Sequence, residues 1–157
     1  ATFTLQQETF PNGVHVCEVE IDRDTGRVDL LRYVVVDDVG VVINPLLMEA
    51  QVHGGIVQGA GQAMIEAVRY DGEGQLITGS FMDYGMPRAD MFCPFEVWSC
   101  PTRTTANPLG VKGVGEAGTV GSLAAVMNAV VNALGVRHMD MPASPQRVWN
   151  AMRSAHE

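Results

Sequence analysis

The sequence predicts an α+β fold, with a mixed or antiparallel sheet packed against two to three helices, from three observations. Residues 14–22, Val-His-Val-Cys-Glu-Val-Glu-Ile-Asp, alternate apolar with polar at period two, the signature of a half-buried strand. Residues 27–37 run back through Leu30-Leu31 and Tyr33 to Val36, so the pair reads as a hairpin with a central second strand, apolar on both faces. Two longer stretches, 46–69 and 119–134, repeat apolar residues at helical spacing.

Each element has local justification. Arg23-Asp24-Thr25-Gly26 has turn composition, and Asp37-Asp38-Val39-Gly40 breaks the second strand. Asn44-Pro45 then resets the chain for a helix, with asparagine at the cap and proline in the first turn. In that helix Val52, Ile56, Ala60, Ala63 and Met64 fall on one face, with Val57 at its margin. The other face collects Ala50, Gln51, Gly54, Gly55, Gln58, Gly61 and Gln62. Glycine costs roughly 1 kcal/mol against alanine inside a helix, so something offsets it. Close helix packing through small residues is one explanation. A groove that takes a large polar ligand, with amides as paired donor and acceptor, is the other.

Tyr70 to Gly74 reads as a turn, Leu76 to Met82 as a strand interrupted by Gly79, and Phe95 to Pro101 as a further strand. In the next helix Val120, Leu123, Ala124, Met127, Val130, Val131 and Leu134 are expected to face the core. Ser122, Ala125, Asn128, Ala129 and Asn132 form a small, uncharged second face, also covered, and Gly135 stops the helix. Ser144-Pro145 opens a last helix through about Ser154. Without repeats, low-complexity segments or a linker, residues 1–157 read as a single domain.

The net charge of −8 disfavours nucleic acid and anionic membrane surfaces as partners. Neither a basic-plus-apolar leader nor an apolar run approaching the ~18 residues of a membrane span is expected from the residues. Three cysteines without C-x-x-C spacing argue against zinc, an iron–sulfur cluster or a disulfide framework, and fit a reducing, cytoplasmic setting. The isolated histidines His15, His53, His138 and His156 show no ligand spacing, so no metal ligands are assigned within the chain. Asp37, Asp38 and Asp83 sit in turns, where aspartate serves local hydrogen bonding. No phosphate-binding loop or nucleophile elbow is present.

What remains is Lys112-Gly113-Val114-Gly115-Glu116-Ala117-Gly118, a glycine-rich turn that feeds a helix and holds one carboxylate. Glu116 reads either as an acid stabilising the helix start or as a group facing a ligand that bare backbone lets come close. A lone carboxylate beside a large cofactor is an economical arrangement, because the cofactor carries the hard chemistry and the protein supplies one positioned base.

Five motifs then stand in one order: Asp37-Asp38-Val39-Gly40 to Asn44-Pro45; Gln51-Val52-His53-Gly54-Gly55 with Gln58-Gly59; Asp83-Tyr84 with Pro87; Asn107-Pro108-Leu109-Gly110; and Lys112 to Glu116. With them the chain resembles the C-terminal part of the molybdenum-binding large subunit of the xanthine dehydrogenase, aldehyde oxidase and carbon monoxide dehydrogenase family. The carbon-monoxide-dehydrogenase-like branch is nearest. Ala117-Gly118 replaces the Pro-Pro of the eukaryotic xanthine enzymes.

The resemblance implies an oxidoreductase that hydroxylates a small carbonyl or heterocyclic substrate with water-derived oxygen. Glu116 is implied as its catalytic base. Gln51 and Gly115 are implied as cofactor-binding, and Gln58, Gly59 and Gly61 as cofactor neighbours. The implied cofactor is molybdenum-molybdopterin in its cytosine dinucleotide form, shared with segments beyond this chain, so the chain alone is expected to be inactive. The implied partners are the remainder of the large subunit and FAD-binding and iron–sulfur subunits. Two alternatives stay open, a non-catalytic packing or assembly module and a small-molecule-binding domain.

Overall fold

The computed structural model describes Thr2, Thr4 and residues 7–154; His156 lies outside the described residues. Strand β1 (Asn12–Ile21) pairs antiparallel with β2 (Val28–Asp38), which pairs parallel with β3 (Phe95–Ser99), in the order β1-β2-β3. The sheet is mixed because β2 and β3 are joined by a crossover that contains helix α1 (Pro45–Met64). Helices α2 (Ala117–Leu134) and α3 (Pro145–Ser154) complete the fold.

Period two sets the layers. His15, Cys17, Val19 and Ile21 of β1 and Leu30, Tyr33 and Val35 of β2 turn toward the helices. Tyr33, Val35, Val52, Ile56, Val126, Val130 and Val148 are fully buried between sheet and helices. The opposite face leaves Val14 and Trp98 64% and 61% exposed, with Val16 and Val36 beside them in register. β2 is central, as its sequence predicts, but only one of its two apolar faces is covered.

The caps follow the sequence. Asn44 Oδ1 accepts from Leu47 N at 3.2 Å, Pro45 occupies the first turn, and Gly135 closes α2 at φ +67°. Three expectations need correction. α1 stops at Met64, short of Arg69, because Ile65 leaves helical geometry and Gly61 O accepts from both Ile65 N and Glu66 N. Leu76 to Met82 is not a strand. No sheet edge reaches it, and it makes only the single bridge Tyr70↔Leu76 around a turn held by Asp71 Oδ1.

The third correction concerns α2. Its buried positions are Gly118, Ser122, Val126 and Val130, whereas Val120 is 72% exposed and Leu123 and Met127 are only partly covered. α1 decides this. A Cβ at Gly118 would stand 2.5 Å from Val52 O, and one at Gly59 would overlap Ser122 Oγ, so the two helices meet through their small residues. The offset for the helical glycines is therefore close packing along Gly55 and Gly59. α2 is also 18 residues long and apolar enough to cross a membrane by length and composition, unlike the sequence expectation. Uncharged Gly, Ala, Ser and Asn fill the gaps between its aliphatic residues.

Candidate functional site

The site is assembled where β2 ends. Asp38 is its anchor: Oδ2 accepts from Lys112 Nζ at 2.7 Å, and Oδ1 accepts from Gly40 N and Thr102 N, both at 2.9 Å. The Lys112 ammonium, then the Thr102 and Gly40 N–H groups, hold the Asp38 carboxyl well below the usual carboxylate range. Lys112 N donates to Val39 O and Val41 N to Gly110 O, each at 2.9 Å. The Asn107 side chain spans Val111 through both its amide groups. Segment 37–40 and the distant stretch 102–116 thus converge at one corner.

From that corner the glycine turn delivers Glu116 to the N-cap of α2, where its side chain makes no capping hydrogen bond. The carboxylate instead lines a cavity of about 620 Å³ between the start of β1, Asp37 at the end of β2, and residues 113–121. Glu116 is therefore an exposed acid on a cavity wall, not a helix-capping one. Gly115 adjoins it, and its carbonyl accepts from Gln51 Nε2 at 2.8 Å. Thr119 Oγ1 lies 3.1 Å from Gly55 O and 3.2 Å from Gln58 Oε1. Glu116, Gly115, Gln51 and Gln58 are thus linked around the junction of α1 with the start of α2. Gly59 and Gly61 are buried against Ser122 and against Glu66 and Pro87, so packing accounts for both.

Two residues at the cavity, His15 and Asp37, receive no site role from the sequence alone. Tyr33 OH and His15 Nδ1 are 2.7 Å apart, and His15 Nε2 is 3.7 Å from Asp37 Oδ1. Burial, followed by the nearby Cys17 and Asp37, pushes the Tyr33 phenol above its ordinary value, so it keeps its proton. The one available signal is phase: His15 and Asp37 occupy the inward positions of β1 and β2, where a polar residue needs a reason.

The residues fit a large group laid against bare backbone. A Cβ at Gly54, Gly113 or Gly115 would meet nothing within 4 Å. These open positions flank the amides of Gln51 and Gln58, which offer both donors and acceptors. Among the described residues no cluster of three His, Cys, Asp or Glu side chains could hold a metal directly.

Fold and site together define a class: an α+β domain that presents an uncommitted carboxylate and a stretch of bare backbone to a ligand cavity. Comparison with known proteins makes the assignment definite. The model of the molybdopterin cofactor-binding domain family matches residues 2–92. The chain is 42% identical over 147 residues to the nicotine 6-hydroxylase large subunit of Paenarthrobacter nicotinovorans, covering 92% of this chain and 18% of that one. It is 38% identical to the carbon monoxide dehydrogenase large chain of Hydrogenophaga pseudoflava, with the same coverage. The solved carbon monoxide dehydrogenase from Oligotropha carboxidovorans superposes with a TM-score of 0.87 at 36% identity, over 93% of this chain and 18% of that one. Quinoline 2-oxidoreductase from Pseudomonas putida 86 gives 0.86 at 35%, over 91% and 19%. The chain belongs to the molybdopterin cofactor-binding domain family found in the large subunits of molybdenum hydroxylases. It spans about a fifth of the length of these relatives.

Proposed function

We propose that this chain supplies the catalytic base, Glu116, and part of the molybdopterin pocket of a molybdenum hydroxylase that acts on a small carbonyl or heterocyclic substrate. The observation that carries it is the placement of Glu116: at the start of α2, free of any capping role, on the wall of a large cavity next to the Gln51–Gly115 hydrogen bond. Gln51, Gln58 and the open backbone at Gly54, Gly113 and Gly115 hold the cofactor's polar edge. The cofactor, in its cytosine dinucleotide form, supplies redox and oxygen-transfer chemistry when bound. Glu116 takes a proton on a carboxylate that makes no capping hydrogen bond among the described residues and is open to the cavity, which suits a general base. Lys112 acts at a distance, since its ion pair with Asp38 fixes the turn that aims Glu116.

The cradle is open on several sides, and the relatives are about five times longer. The remainder of the large subunit therefore closes it, with FAD-binding and iron–sulfur subunits completing electron transfer, and the isolated chain is inactive. The exposed apolar face at Val14, Val16, Val36 and Trp98 supports burial against other polypeptide. In the complete enzyme, Glu116→Gln is expected to lower turnover by at least a thousandfold while molybdenum content, measured by mass spectrometry, stays at the wild-type level. Turnover within tenfold of wild type would remove Glu116 from the role of base.

A further inference from the structure

The glycine turn that carries Glu116 is held firmly at both ends and lightly in the middle. Lys112 ties its start to the end of β2 through Val39 O and Asp38, and Val120 N donates to Glu116 O at 3.0 Å where α2 begins. Between these points Val114 rests its side chain against the core. A Cβ at Gly113 or Gly115 would meet nothing within 4 Å, so nothing crowds the backbone on either side of Val114. Glycine leaves that backbone more conformational freedom than any other residue would. Among the described residues, the Gly115–Glu116 peptide makes one hydrogen bond, from Gln51 Nε2 to Gly115 O at 2.8 Å.

The donor in that bond is well anchored. Gln51 precedes Val52 on α1, and Val52 is fully buried. Val52 O is also the atom that a Cβ at Gly118 would approach to 2.5 Å, so the bond lies beside a backbone-to-backbone contact of α1 with α2. A carbonyl only accepts, which turns the amide nitrogen of Gln51 toward Gly115 and leaves Oε1 on the other side. Oε1 makes no hydrogen bond among the described residues, and Gln51 is exposed beside the open backbone of Gly54. One side chain therefore holds the peptide before Glu116 with its nitrogen and leaves its oxygen to the proposed cradle. The pairing of the two helices does not need this bond, because Gly55, Gly59, Gly118 and Ser122 already pack them together. Its effect is local to the turn.

We propose that Gln51 is a positioning residue for Glu116: it fastens the Gly115–Glu116 peptide to α1 and so sets the direction in which the carboxylate leaves the turn. This role is separate from contact with a cofactor, and it rests on the proposed work of Glu116 only where turnover is concerned. A neutral hydrogen bond of this kind shifts the balance between the closed and open turn by about fivefold. Turnover is the more sensitive quantity, since misplacing a reacting group by about 1 Å costs on the order of a hundredfold in rate.

The test uses the complete enzyme with Gln51→Met, which keeps the length of the side chain and removes its donor. Gln62→Met makes the same change on the same helix at another exposed position. Amide exchange is followed by mass spectrometry on enzyme prepared without molybdopterin, so that a lost cofactor contact cannot enter. The amides of Ala117 and Val120 report on the turn, because they close on Val114 O and Glu116 O. In Gln51→Met, residues 117–120 are expected to exchange at least threefold faster than in the wild type, with residues 126–134 unchanged and Gln62→Met unchanged throughout. A smaller increase overturns the assignment, as does an equal increase along all of α2 or in Gln62→Met. In the loaded enzyme, turnover per bound molybdenum is expected to fall at least tenfold in Gln51→Met while KM stays within threefold, a split that general loosening of the fold would not produce. Where Glu116→Gln inactivates the enzyme, a smaller fall overturns the positioning role. The two readings separate: an active Glu116→Gln enzyme beside faster exchange in Gln51→Met defeats the catalytic reading alone, and an inactive one beside unchanged exchange defeats only the role of Gln51.

Discussion

The contact between α1 and α2 makes two glycine-to-alanine substitutions move stability in opposite directions. A methyl at Gly118 would stand 2.5 Å from Val52 O, 3.0 Å from Ile56 N and 3.1 Å from Gly55 Cα. The first distance is about 0.9 Å short of an ordinary contact near 3.4 Å. All three neighbours are backbone, so no side chain can rotate away and the helices must part. Overpacking of this kind costs roughly 1–3 kcal/mol, and rigid contact on several sides places Gly118→Ala in the upper half. Alanine regains about 1 kcal/mol of helix propensity, which leaves a net loss of about 1–2 kcal/mol. For a chain of this size that lowers Tm by roughly 2–8 °C. Gly54 lies in the interior of α1 with nothing within 4 Å of its Cβ position. Gly54→Ala keeps only the propensity gain, about 0.5–1 kcal/mol, and raises Tm by roughly 1–4 °C. Thermal unfolding of the purified chain followed by circular dichroism reads both shifts. If Gly118→Ala unfolds with the wild type, or Gly54→Ala is also destabilised, α1 and α2 do not meet along Gly55–Gly118 and the explanation of the helical glycines fails. In the complete enzyme Gly54→Ala is also expected to lower molybdenum content, because it adds a methyl to the proposed cradle.

Two further outcomes follow from the charges and thiols. The Asp38 carboxyl titrates lower in the folded chain than its ordinary value of about 3.9, so its contribution to stability is complete above that value and is lost as pH falls through the folded one. Chemical denaturation between pH 5 and pH 2 should therefore show a steeper fall for the wild type than for Asp38→Asn; equal slopes would mean that Lys112 does not pair with Asp38. Burial, reinforced by Cys93, pushes the Cys17 thiol up to about 12, whereas Cys100 is exposed. A thiol reagent at pH 8 should label Cys100 within minutes and Cys17 only on the timescale of unfolding, as peptide mass spectrometry would show. Prompt labelling of Cys17 would contradict the packing of β1 against the helices.

Legibility in the sequence tracked the range of the interactions involved. The hairpin, the Asn44-Pro45 start of α1 and the Gly135 stop of α2 are local, since periodicity and capping are settled within one turn or one strand. The core stripe of α1 was equally plain, because Val52, Ile56 and Ala60 have no competing apolar face. α2 misled for the opposite reason. Its aliphatic stripe predicted the buried face, yet Val120 is exposed and the line Gly118, Ser122, Val126 and Val130 is buried, because Gly118 and Ser122 let the backbone of α2 reach that of α1. Leu76 to Met82 had strand composition but no neighbouring strand to supply hydrogen bonds.

The amino-acid order by itself determined the α+β class, the start of α1, the stop of α2 and the place of Glu116 on its glycine turn, which depend on residue types at fixed short spacings, while the family resemblance it carries supplied the candidacy of Gln51 and Gly115. Only the tertiary structure decided that Gly59 and Gly61 are buried in packing, that Asp38 ties Thr102 and Lys112 to the end of β2, and that Asp37 and His15 face the cavity of Glu116. The physical reason is that burial and hydrogen-bond satisfaction belong to groups brought together across the sheet and between helices. Two adjacent aspartates, alike in sequence, differ because one accepts from three donors and the Oδ2 of the other has no hydrogen-bond partner among the described residues.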